Sequence, residues 1–154
     1  MTSPPHTPTE AITALILDLF RLNNLILTSG DRLVSALGLT SARWQVLGTI
    51  VAAARLQPVA WLARDMGANR QNVQRIVNDL AKEGLIEFMQ NPHHRRAQLV
   101  ALTARGEQVY AQAMALQVPW AKRFVEGIAQ EDVKLAHRTL VAIRQNLERE
   151  FSNQ

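Results

Sequence analysis

Apolar side chains recur every three or four positions over two long stretches of this chain, one near each end. In TEAITALILDLFRLNNLIL they fall at Ile12, Leu15, Ile16, Leu19, Phe20 and Ile26, the stripe of a helix that Thr9 is placed to cap. Near the other end, Val133, Ala136, Leu140, Ile143, Leu147 and Phe151 repeat the pattern. Terminal helices have few neighbours in a small domain, so these two seams are expected to pack on a second copy of the chain, the competing reading being burial inside a monomer.

Shorter helical patterns lie between them. Thr40 caps TSARWQVLGTIVAA, which presents Trp44, Leu47 and Ile50 on one side. Pro58 restarts the chain, and VAWLARDMG makes about two turns before Gly67 stops it. Asn69 caps the next segment, NRQNVQRIVNDLAKEGLI, whose inner face is Val73, Ile76, Val77 and Leu80 and whose end is Gly84. The period then changes from helix to strand. Ile86 and Phe88, opposed by Val100 and Leu102, alternate as a hairpin does, with Asn91 and Pro92 opening the turn. Helix resumes at Ala104, Pro119 is expected to kink or interrupt it, and EGIAQED leads into the last helix.

Composition narrows the function. With 154 residues the chain has room for one structural domain with a real core. It has no cysteine, which removes disulfides, thiolate metal sites and a cysteine nucleophile. No run approaches the roughly 18 uninterrupted apolar residues of a membrane span, and MTSPPHTPTE lacks the build of a secretory signal. A cytoplasmic protein with no membrane partner and a disordered tail over residues 1–8 is expected. Only Lys82, Lys122 and Lys134 among the 17 basic residues are lysine; the rest are arginine. Arginine's planar fork suits phosphate and guanine edges. A GC-rich genome produces the same bias, so composition permits nucleic-acid binding without establishing it.

Two short helices joined at a glycine and followed by a hairpin are the parts of a winged helix-turn-helix. The expected fold is mainly α with a small β-hairpin wing, a winged helix-turn-helix core flanked by N- and C-terminal dimerisation helices. The second short helix carries Asn69, Arg70, Gln71, Asn72, Gln74, Arg75 and Asn78 away from its apolar stripe, with no acid before Asp79. Such residues pair with base edges or grip phosphates, and a helix N-terminus is itself partly positive. A plain solvated face more often interleaves Glu with Lys. The hairpin tip holds His93, His94, Arg95 and Arg96, and an arginine there can enter a narrow minor groove. A metal site is disfavoured, because adjacent tip residues diverge and no carboxylate lies nearby. No phosphate loop, carboxylate pair or nucleophile motif supports catalysis, and no cofactor is implied.

The segments LTSARWQVL, VAWLARDMGANRQNVQRIVNDLAKEGLI and NPHHRRAQLVALTARG resemble the MarR family of bacterial transcription regulators. The wing is the most specific of them: family wings read Asn-Pro, two residues, Arg-Arg-Ala, and end in Leu-Thr before a Gly. The resemblance implies an obligate homodimer, with residues 9–36 and 107–154 forming the dimer interface and residues 39–106 binding DNA. It implies double-stranded DNA carrying an inverted repeat as partner, and repression relieved by a small aromatic or anionic effector.

This chain departs from the pattern twice. His94 stands where the family usually has an Asp that poses the minor-groove arginine, here Arg96. Protonating His94 adds a cation at the tip, so DNA affinity is expected to rise as pH falls through the histidine range. Arg43 stands where a Gln is common. With Trp44 it is a candidate ligand contact, set against a core role for Trp44 and a solvated Arg43. Trp61 and Trp120 read as core. The rival function is a protein-docking winged helix, which would show exposed apolar anchors on the second helix and wing.

Overall fold

The computed structural model describes residues 7–152, so most of the expected tail lies outside the described residues. Helix α1 runs Pro8–Val34, and its cap is Thr7 rather than Thr9. Glu10 sits three residues beyond Thr7, so the Thr7 hydroxyl accepts from the Glu10 amide at 3.2 Å while the Glu10 carboxylate accepts from the Thr7 amide at 3.0 Å. Pro8 then occupies the first helical turn, where its missing N–H costs nothing.

A 3-10 turn, Ser35–Leu37, and the left-handed Gly38 lead to α2, Ser41–Ala52, capped by Thr40 as expected. From α1, Asp31 accepts the Ser41 amide at 2.6 Å, and the buried Ser41 hydroxyl donates to the Leu27 carbonyl at 2.7 Å. These bonds fix the angle between α1 and α2. Helix α2 touches α1, α3, α4 and β3. That crowding explains why Val46, outside the predicted stripe, is as fully buried as Leu47.

Strand β1 is Gln57–Pro58, α3 is Val59–Met66, α4 is Arg70–Lys82, β2 is Ile86–Met89 and β3 is Leu99–Leu102. The sheet is antiparallel in the order β1-β3-β2, with Phe88 opposite Val100 and Pro58 opposite Leu99. Pro58 therefore does more than restart the chain. It closes a third strand at the sheet edge, where a residue without an N–H is tolerated. Val59, Leu62, Val73, Val77, Leu80, Ile86 and Val100 join Val46 and Leu47 in one core. Truncating a fully buried leucine such as Leu47 or Leu80 to alanine is worth about 2–5 kcal/mol.

Helix α5, Ala104–Phe124, continues through Pro119 instead of being interrupted there. Pro119 is exposed and so is Ala115, whose carbonyl loses its helical donor, so water can satisfy that group. The chain divides into two compact units between Leu116 and Gln117, within this helix. In the second unit, Trp120 is buried as expected and meets Phe124 edge-on at 4.4 Å, and α6 spans Gln130–Ser152.

Both terminal helices display apolar side chains. Phe20 is 65% exposed on α1, with Leu17, Leu22 and Leu25 near it in sequence, and Phe151 is 75% exposed on α6. With a mean hydropathy of 1.5 over 18 residues, the segment Pro8–Leu37 is long and apolar enough to cross a membrane. The lack of an uninterrupted apolar run did not foresee this, because Asp18, Arg21 and two asparagines break the run without lowering its average much. An apolar stripe that packs on another chain gives the same average.

Candidate nucleic-acid interface

Helix α4 begins as its sequence demands. The Asn69 side-chain oxygen accepts from the Gln71 and Asn72 amides at 2.9 and 3.2 Å, a cap worth about 1 kcal/mol. Asn69 is thereby committed to the helix start, and only its amide nitrogen is left to face outward. Val73, Val77 and Leu80 point into the core, which turns the polar residues out. Along that outer face Gln74 donates to Asn78 at 3.0 Å, and Arg75 leans toward Asn72 at 3.4 Å. Arg70 and Gln71, by contrast, make no side-chain hydrogen bond or ion pair among the described residues.

Asn91 organises the wing. Its side-chain oxygen accepts from the His93 amide at 3.0 Å, and its amide nitrogen donates to the Ala97 carbonyl at 2.9 Å across the loop. The backbone bonds His94 N to Asn91 O, 3.3 Å, and Ala97 N to His94 O, 3.1 Å, complete the tip. His93, His94, Arg95 and Arg96 are all exposed, and no side chain among the described residues pairs with either arginine. No grouping of three metal-capable side chains occurs among the described residues.

Helix and wing converge. Arg70 and Gln74 of α4 and His93, His94 and Arg96 of the wing line one groove of about 640 Å³. Its lining holds no carboxylate, so an entering anion meets only cations, amides and apolar surface. Gln71, Asn72, Arg75 and Asn78 of α4 and Arg95 of the tip are exposed but do not line this groove.

The remaining candidates fare differently. Arg43 is not a free solvated side chain but a half-buried, paired one: it donates to Glu83 at 2.7 Å and to the Gly38 carbonyl at 3.3 Å, tying α2 to the end of α4. A guanidinium so engaged is a brace between helices before it is a ligand contact. Trp44 is partly buried against the core. Trp61 corrects the expectation of a core residue, being 38% exposed with the guanidinium carbons of Arg55 and Arg64 at 5.1 and 5.5 Å from its ring centre. Arg55 and Trp61 also line the groove, and the sequence reading placed neither at the site. The signal was there, since Trp61 falls off the Val59, Leu62, Ala63 stripe of α3.

Known proteins resemble this chain in sequence and fold. The MarR family model matches residues 37–97. An uncharacterized protein of Mycobacterium tuberculosis is 41% identical over 100 residues, covering 65% of this chain and 68% of that one. The multiple antibiotic resistance protein MarR of Escherichia coli K12 is 33% identical over 108 residues, covering 66% and 72%. The solved structure of a mutant of E. coli MarR complexed with operator DNA superposes with a TM-score of 0.71 at 25% identity, covering 83% of this chain and 94% of that one. On the identity and coverage of the E. coli protein, this chain belongs to the MarR family of transcription regulators.

Proposed function

We propose that this chain is a sequence-specific double-stranded DNA-binding regulator that acts as a cytoplasmic homodimer, repressing from an inverted-repeat operator. One observation carries this: the unpaired cations of α4 and of the wing share a single groove that no carboxylate lines. The N-terminal part of α4 enters the major groove, with Arg70, Gln71 and Gln74 reading bases and Asn72, Arg75 and Asn78 bracing on phosphate. Arg96 enters the adjoining minor groove, Arg95 lies on the backbone, and His93 and His94 add hydrogen-bonding groups at the tip. The apolar faces of α1 and α6 supply the dimer contact, so two lobes meet half-sites about 34–36 Å apart. A small aromatic or anionic effector relieves repression by favouring a lobe spacing that no longer fits.

A docking module is the less favoured reading, because no large apolar side chain of α4 is exposed and the wing strands expose only one, Met89. The test is fluorescence anisotropy of the purified protein on the DNA upstream of its own gene, against a scrambled duplex of equal length. A strong preference for the native duplex, saturating at one dimer per site, supports the proposal. Equal, weak binding to both removes it.

A further inference from the structure

The groove has a third wall, supplied by neither the recognition helix nor the wing. Trp61 stands on the outer side of α3 with 38% of its surface exposed, so its indole forgoes part of the gain of burial. Two guanidinium groups approach that ring, those of Arg55 and Arg64. Like charges sharing one ring repel each other, and Asp65 offsets only one of them, lying 3.5 Å from Arg64. Arg55 has no carboxylate partner among the described residues, and it lines the groove together with Arg70 and Arg96.

We propose that Arg55, held by Trp61, is a further contact of each lobe with the DNA phosphate backbone, and that Trp61 is its positioning residue. The inference rests on the DNA-binding reading above. In a helix-turn-helix the first helix crosses the backbone while the second enters the groove, and α3 is that first helix. A free arginine on the loop before β1 would sample many rotamers, and stacking on the indole orders it before DNA arrives. Its planar fork then meets a phosphate, which strengthens binding to any duplex without changing preference among sequences.

Anisotropy with the full chain on the native and scrambled duplexes, from about 50 to about 200 mM salt, tests this. Arg55→Ala is expected to weaken binding to both duplexes by the same factor, about tenfold. It is also expected to lower the salt slope by about 1 for each bound protomer. Trp61→Leu is expected to weaken binding on its own but to add nothing to Arg55→Ala, which a merely structural role for the indole would not produce. Unchanged affinity and slope in Arg55→Ala, or additive losses in the double variant, overturns the proposal. If the wild type binds both duplexes equally and Arg55→Ala still lowers the slope, sequence-specific recognition fails and the phosphate contact stands. If the wild type binds neither, both fail.

Discussion

Arg43 at the start of α2 and Glu83 at the end of α4 are joined by an ion pair of 2.7 Å. The arginine side chain is 23% exposed and the carboxylate 42%, so water screens the pair. Removing it with Arg43→Ala is expected to cost no more than about 1 kcal/mol, and less at high salt. Urea unfolding at two salt concentrations reads both. A ligand role for Arg43 would appear instead as an effector response lost at unchanged stability.

Gly106 cannot be replaced cheaply. A Cβ there would sit 1.9 Å from the Leu85 carbonyl oxygen, which already accepts from the Thr103 amide at 3.1 Å. The clash is with backbone, so the start of α5 would have to move off the wing strand. Gly106→Ala is expected to destabilise by about 3 kcal/mol or more, the upper range for overpacking. A variant that melts within a degree or two of wild type would refute that contact.

Truncation at the wing should be selective. Arg96→Ala is expected to cost on the order of 1–3 kcal/mol of operator affinity while leaving thermal unfolding unchanged, because its side chain is exposed and unpaired. Full affinity in this variant takes the wing out of the interface. Gln74→Ala, on a base-reading position, is expected to narrow the gap between operator and scrambled DNA.

Introducing Phe20→Glu on α1 or Phe151→Glu on α6 should yield a monomer by sedimentation where wild type is expected to sediment as a dimer. Each charge falls on a side chain at least 65% exposed in the single chain, so folding is expected to survive. Operator affinity should fall with dimerisation. A stable dimer in both variants would move the interface elsewhere.

The legible parts of this fold were those with one face to declare. Helix α4 shows its Asn69 cap and its Val73, Val77, Leu80 stripe in a single turn-by-turn pattern, because only one side of it is buried. Helix α2 did not yield Val46, since a helix enclosed by several neighbours has no single stripe. Strand β1 is two residues long, too short for any period. The cap of α1 was misplaced by two residues, because Thr7 and Thr9 both precede apolar sequence and only the position of Glu10 separates them. Recognition-helix and wing cations were visible as residue types. Their shared groove, and the place of Arg55 and Trp61 on its wall, depended on how the sheet brings β1, α4 and the wing together.

That sheet also limits how such a protein can be switched. Pro58, one residue before α3, is paired to Leu99 at the root of the wing, and Phe88 is paired to Val100 beside it. In the proposed complex, the helix that enters the major groove and the wing that enters the minor groove are therefore jaws of one caliper, set by backbone hydrogen bonds. An effector of the proposed kind is expected to move that caliper whole rather than to retract the wing and leave the helix seated.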